Sequence, residues 1–223
     1  MTRTDQGYSI HHHVFQQVDM SRVLEALDAA DLDRTRAGAR HVLKVPEVRE
    51  LSSDPRLMTI AQQYVGPAPV AFRATLFDKS TNANWLVVWH QDTALPIRRR
   101  IDDPAWGPWS TKAGVLQAHA PAWALENIIA LRVSLDDSTN TNGPLRVLPD
   151  THLEGVLSDV EINQRVRNTT PVACVAVSGG VVAMRPLTIH ASSKANDDHP
   201  RRVLHIEYAA TMDLRGGVEL AVG

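Results

Sequence analysis

The chain has 223 residues, 43% of them hydrophobic and 22% charged, with a formal net charge of −2. That size and balance fit one globular domain with a sizeable core, and so small a charge offers no field to recruit nucleic acid or an anionic membrane. The single Cys174 excludes an internal disulfide framework and fits a reducing compartment. No apolar run has the length of a membrane span, since Asn127 to Leu135 is broken by Arg132, and Met1 to Ile10 lacks a signal-peptide core. A cytoplasmic protein is expected.

In chain order, His11-His12-His13 comes first and is assigned a structural role. A helix is predicted from about Ser21 to Ala30, with Val23, Leu24, Leu27 and Ala30 on one face and Asp19 or Ser21 as its cap. Arg34 to Arg40 reads as a solvated basic loop. A second helix is well punctuated: Asp54 caps it, Pro55 takes its first position, and Gly66-Pro67 stops it. Leu57, Ile60, Ala61 and Tyr64 form its apolar stripe.

From Pro69 the pattern turns to strands. Val70 to Phe77 is the first, ending at Asp78-Lys79; Ser80 to Asn84 is a polar turn; Trp85 to His90 is the second. Thr93 to Leu125 follows as a long irregular segment rich in Pro and Gly, with Trp106, Trp109 and Trp123, and loops of this length commonly serve as lids or binding loops. Arg98-Arg99-Arg100, followed by Asp102 and Asp103, reads as a solvated face. On the next strand, Ile128 to Leu135, Arg132 sits among apolar neighbours. It faces either solvent or a site that holds a carboxylate or phosphate, because burying it without an anion is costly. Asn142-Gly143-Pro144 is a turn, Leu145 to Leu148 a short strand, and a polar segment runs to Thr170. Val172 to Val177, Val181 to Met184 and Val203 to Tyr208 complete the strand set, with Gly179-Gly180 as a tight turn. Many short strands after a helical start predict a mainly β protein with flanking helices, a jelly roll with helices packed on one sheet.

The chemistry concentrates at Trp89-His90-Gln91-Asp92. Side chains two apart on a strand share a face, so His90 and Asp92 can aim a nitrogen and an oxygen at one point. A second histidine would complete the two-histidine, one-carboxylate triad of non-haem iron(II) sites. The spacing alone is unspecific, because His152/Glu154 and His205/Glu207 repeat it. His190 lies one hundred residues after His90, at the end of an apolar run, and Arg201 follows eleven residues later, opening the last strand after Pro200.

Taken together these pieces resemble the phytanoyl-CoA dioxygenase family of iron(II)- and 2-oxoglutarate-dependent oxygenases. The matching stretches are Phe77-Asp78-Lys79, Trp-His-Gln-Asp at 89–92, Asn-Gly-Pro-Leu at 142–145 with Pro149 to His152, Leu-Thr-Ile-His-Ala-Ser-Ser at 187–193, and Arg-Arg-Val-Leu-His-Ile-Glu-Tyr at 201–208. The resemblance implies a double-stranded β-helix, cupin-like, as a single oxygenase domain over 1–223. Within it, 1–68 is mostly helical, 69–211 is the jelly-roll core and 93–125 is a lid-like insertion. It implies Fe(II) held by His90, Asp92 and His190, and 2-oxoglutarate as co-substrate with Arg201 on its distal carboxylate and Ser192 hydrogen-bonded to it. Arg132 falls where relatives often place an aromatic, which makes it a candidate contact to co-substrate or prime substrate. For Arg201, a planar guanidinium suits bidentate recognition of that distal carboxylate.

Alternation puts Arg201, Val203, His205 and Glu207 on one face of the last strand. Arg202, Leu204, Ile206 and Tyr208 take the other, more apolar face, which alone would suggest the interior. A sheet buried on both sides leaves the choice between the two arginines open, although the spacing favours Arg201. His152/Glu154 is read as structural, and His205/Glu207 as lining the pocket without binding metal. The expected activity is hydroxylation of an unactivated C–H bond of a small, partly apolar molecule, using O₂ and releasing succinate and CO₂. An intact Asp92 argues for hydroxylation or desaturation over halogenation. Two other readings stand beside it, a cupin-like metalloenzyme that does not use 2-oxoglutarate and a non-catalytic jelly-roll binding protein.

Overall fold

Alternating apolar residues build two facing antiparallel sheets, and the computed structural model describes residues 5–80 and 83–222. In chain order the strands are β1 (Tyr8–His11), β2 (Arg34–Thr35), β3 (Gly38–Arg40), β4 (Val70–Lys79), β5 (Val87–His90), β6 (Ala94–Pro96), β7 (Trp109–Lys112), β8 (Val115–His119), β9 (Ile128–Ser134), β10 (Leu145–Val147), β11 (Val172–Cys174), β12 (Val181–Met184), β13 (His190–Ser192) and β14 (Arg201–Ala209). The helices are α1 (Gln17–Ala29), α2 (Pro46–Ser52), α3 (Pro55–Val65), α4 (Ala122–Leu125) and α5 (Asp159–Asn168). The major sheet has the order β1-β12-β9-β14-β4-β3-β2, and the minor sheet β11-β10-β13-β5. This is the mainly β jelly-roll architecture with flanking helices.

Both faces of the major sheet are buried, for different reasons. Its outer face carries Ala74, Leu76, Leu131, Val133, Leu204, Ile206 and Tyr208, packed against Met20, Val23 and Leu27 of α1 and Leu57, Ile60 and Ala61 of α3. Its inner face meets the minor sheet where Val182 and Met184 pack on Leu145, Val147 and Cys174. The more apolar face of β14 is therefore the helix-covered one, and the polar face lines the space between the sheets. The minor sheet is backed in turn by Ile162 of α5, which packs with Leu148, Ile189 and Trp89.

Three expectations need correcting. First, α1 begins at Gln17, because Gln16 is the N-cap and its N–H is bonded by the Asp19 carboxylate, so Asp19 belongs to the first turn. Second, Arg34 to Arg40 is a small hairpin, β2–β3, that extends the major sheet; Gly38 and Ala39 are buried while Arg34, Arg36 and Arg40 reach solvent. A side chain at Gly38 would collide with the Leu76 carbonyl, 1.9 Å from an added Cβ, which is why a glycine stands there. Third, 93–125 is not irregular: β6, β8 and β7 form a three-stranded sheet, with Trp106 buried against Leu95, Ile97, Ala118 and Leu125. The well-punctuated helix is found as α3, with the Asp54 side chain accepting from the Arg56 N–H. Met1 to Thr4 of the N-terminal segment and positions 81 and 82 of the Ser80–Asn84 turn lie outside the described residues; Ser80 and Ala83 bridge across that turn. Arg98, Arg99 and Arg100 are exposed.

Candidate metal centre

Antiparallel pairing sets His190 of β13 directly opposite His90 of β5, so the topology joins two histidines that are distant in sequence. His190 begins its strand rather than ending one. Asp92 follows β5 and is fixed by its N–H, which donates to the Pro186 carbonyl at 2.9 Å. One ligand atom from each of His90, Asp92 and His190 falls within 4.8 Å of the others. Between the ligands, Gln91 turns away: its Nε2 donates to the Gly155 and Leu187 carbonyls, both at 2.8 Å, and its Oε1 accepts from the Leu157 N–H. That side chain pins the His90–Asp92 corner, a role its place in the sequence did not announce.

The protons on the two imidazoles follow from their partners. His90 Nδ1 lies 2.8 Å from the Val88 carbonyl and His190 Nδ1 lies 2.9 Å from the Thr188 carbonyl. A carbonyl only accepts, so each Nδ1 carries the hydrogen and each Nε2 keeps a lone pair. Those Nε2 atoms stand 3.5 Å from the two oxygens of Asp92. Burial pushes the His190 imidazole down to about 4. Burial opposes ionisation of Asp92, yet the adjoining imidazoles hold its carboxyl well below the usual range. Burial also disfavours the charged form of His90, but Asp92 outweighs it and raises the group above its ordinary value. With both Nδ1 hydrogens on carbonyls, the two Nε2 atoms and the Asp92 carboxylate converge on one point, a donor set that suits a divalent iron-type cation.

Along the inner face away from these ligands lies a cluster of buried cations. Lys79 and Arg201 are register partners across β4 and β14, 1% and 3% exposed. Lys79 Nζ donates to Ser192 Oγ at 2.9 Å, and Arg201 donates to Ser192 Oγ at 3.4 Å and to the Asn142 carbonyl at 3.3 Å. Burial, with Arg201 and Arg132 nearby, pushes the Lys79 ammonium down to about 8, and burial beside Arg132 pushes Arg201 down to about 10. Among the described residues neither has a carboxylate within salt-bridge distance. Arg202, by contrast, forms a two-pronged pair with Asp136 on the opposite face. An uncompensated buried cation is costly without an anion, and the arrangement of these two donors beside Ser192 is able to receive one.

Arg132 is also buried on the inner face and donates to His205 Nδ1 at 2.9 Å, with its guanidinium 5.2 Å from the Phe77 ring centroid. Glu207, next on that face, is held by Arg73, whose remaining donors go to Gln117 Oε1 and the Ala94 carbonyl. Glu154 pairs with Arg165, and His152 is buried near Asp5, both away from the triad. Lys79, Gln91 and Arg73 are the site neighbours that sequence reasoning left without a role. Lys79 could have been suspected as a Lys at a strand position whose alternation points inward.

The sequence pattern described as phytanoyl-CoA dioxygenase (PhyH) matches residues 12–203. No curated protein sequence matches the chain. Among solved structures, SnoK, the non-haem, α-ketoglutarate-dependent carbocyclase from nogalamycin biosynthesis, aligns with a TM-score of 0.71 at 17% identity, covering 98% of this chain and 83% of that one. EctD from S. alaskensis, in its apo form, aligns at 0.69 and 18% identity, covering 92% and 73%. AviO1 from Streptomyces viridochromogenes Tue57 aligns at 0.65 and 20% identity, covering 92% and 90%. At these identities the likeness to solved structures is one of fold.

Proposed function

The chain belongs to the phytanoyl-CoA dioxygenase family, and on that premise we propose that it is an iron(II)- and 2-oxoglutarate-dependent dioxygenase that hydroxylates an unactivated C–H bond of a small organic molecule, with succinate and CO₂ as co-products. The observation that carries this reading is the convergence of His90, Asp92 and His190 on one point, with the uncompensated Arg201 and Lys79 on the same inner face. The first three would hold the iron. When bound, the iron supplies the redox chemistry that couples decarboxylation of a 2-oxo acid to oxygenation of a C–H bond.

The chain's own groups then have distinct tasks. Val88 and Thr188 carbonyls fix the two imidazoles with their lone pairs inward. Arg201 and Lys79 hold the distal carboxylate of 2-oxoglutarate, and Ser192, already bonded to both, shares in that contact. Arg132 is a further contact for co-substrate or prime substrate. The insertion at 93–125 follows Asp92 directly and acts as a lid over a small, partly apolar substrate. A cupin-like enzyme without 2-oxoglutarate has no use for the buried cation cluster. A carbocyclase of the same fold, SnoK, shows that the outcome at the carbon atom is separable from the fold; the intact Asp92 supports hydroxylation over halogenation here.

The test is aerobic turnover with iron(II), following succinate release and incorporation of labelled O₂ into candidate small molecules. Succinate release that disappears in Asp92→Ala, and that needs far more 2-oxoglutarate in Arg201→Ala, is the expected result. Unchanged 2-oxoglutarate dependence in Arg201→Ala overturns the assignment of its anchor. A product that carries no label excludes hydroxylation.

A further inference from the structure

Arg132 and His205 face each other across β9 and β14, and their contact fixes the state of both. Arginine only donates, so His205 Nδ1 must accept, and the imidazole is the neutral tautomer with its hydrogen on Nε2. Burial, and Arg132 beside it, push the group down to about 3. The nearest acid, Glu207, lies 3.8 Å from His205 Nε2 and is engaged by Arg73 in a two-pronged pair. Among the described residues Arg132 has no carboxylate partner, and its Nε and Nη2 bond to none of them. Neither they nor His205 Nε2 are fully sealed, and both residues lie on the face of β9 and β14 that is turned toward the minor sheet.

The pair's place along the site is set by register. Ser192, between Lys79 and Arg201, marks one end. His190 lies two residues along β13, roughly 7 Å away at the usual rise of a strand. His205 lies four residues along β14 from Arg201. Asp92 and His190 bear on His205, and the charge of Arg132 bears on His90 and His190 as well as on Lys79 and Arg201. His205 therefore stands at the metal end, with Arg132 opposite it in register, between the triad and the Lys79–Arg201 pair.

We infer that Arg132 and His205 form a second anion anchor, which holds the carboxylate that a 2-oxo acid presents at the metal, so that this site grips its co-substrate at both ends. The inference rests on the 2-oxoglutarate reading above and adds to it the residues that select the 2-oxo acid end. It also gives Arg132 a reason to be buried without a partner. A fixed N–H of a neutral imidazole beside a guanidinium is a donor pair for carboxylate oxygens, and neither group needs to change protonation to serve.

The test compares two acids that share the 2-oxo acid end: 2-oxoglutarate, and 2-oxobutyrate, which lacks the distal carboxylate. Each is titrated anaerobically into the iron(II)-loaded protein, and binding is read from the charge-transfer absorption and from calorimetry. Arg201→Gln is expected to weaken 2-oxoglutarate and leave 2-oxobutyrate unchanged. Arg132→Met and His205→Phe are each expected to weaken both acids by the same factor, about tenfold or more, as for a lost hydrogen bond to a charged group. Arg132→Lys, which keeps the charge and loses the fork, should fall between and serves if Arg132→Met folds poorly. Affinities of Arg132→Met and His205→Phe for both acids that match the unaltered protein overturn the second anchor while leaving the first in place. No binding of either acid by the unaltered iron(II) protein overturns the anchor and the 2-oxoglutarate reading together.

Discussion

At the scale of single residues, the site is a set of groups whose hydrogens and charge are set by their partners. His90 and His190 use the same device, an Nδ1–H on the carbonyl two residues back. The sequence displayed His90-x-Asp92, but not that device, because it depends on the backbone turn and not on residue identity. Lys79 is more instructive. It was visible only as part of Phe77-Asp78-Lys79, and its meaning lies in what surrounds it, namely Ser192, Arg201 and, among the described residues, no carboxylate within salt-bridge distance. Its folded value, about 8, lies below the ordinary 10.5, so between those values the unfolded chain binds the proton that the folded chain has released. Stability of the ligand-free protein should therefore gain from this group as pH rises from about 8 to 10.5. Lys79→Met should raise the urea midpoint at neutral pH and remove that gain, checked by unfolding curves at several pH values. A Lys79→Met midpoint that falls at neutral pH, with the pH dependence retained, would contradict the uncompensated-cation account.

At the scale of elements, punctuation decided what could be read. α3 was legible because Asp54, Pro55 and Gly66 each act by local chemistry, and Asp54→Ala should lower stability by about 0.5–2 kcal/mol in thermal unfolding, the usual cost of losing such a cap. The three-stranded sheet in 93–125 was not legible, because its strands are three to five residues long and set among prolines and glycines that read as loop. The two faces of β14 were read correctly as alternating. The more apolar one belongs to the helices because a jelly roll covered on one side has two interiors, and only the polar one can host charge chemistry. The insertion is tied to the major sheet by Arg73, which bonds Gln117 of β8 and the Ala94 carbonyl. Gln117→Leu should therefore speed amide hydrogen exchange across 94–119 while iron binding persists. Exchange there that is unchanged would mean that the apolar packing around Trp106 alone holds the insertion.

At the scale of the whole molecule, the order β11-β10-β13-β5 brings His190 onto His90 across one hundred residues of chain, and β14 beside β4 brings Arg201 onto Lys79. Neither meeting follows from local propensity; the first was expected through family resemblance and the second was not, because long-range strand pairing is what local sequence leaves unstated. The outer apolar faces, the helices and the hairpin β2–β3 stabilise the frame, and the inner face is left free to carry the buried cations Lys79, Arg201 and Arg132 beside the converging donors of the triad. No helix among the described residues is long and apolar enough to cross a membrane. In the proposed function the inner face binds one iron(II) through His90, Asp92 and His190 and a 2-oxo acid beside it. The most direct measurement is anaerobic visible spectroscopy of the iron(II)-loaded protein as 2-oxoglutarate is added. A weak charge-transfer band that appears with 2-oxoglutarate, and that is lost together with iron binding in Asp92→Ala, is the predicted result. Iron demonstrably bound with no band at any 2-oxoglutarate concentration would contradict it.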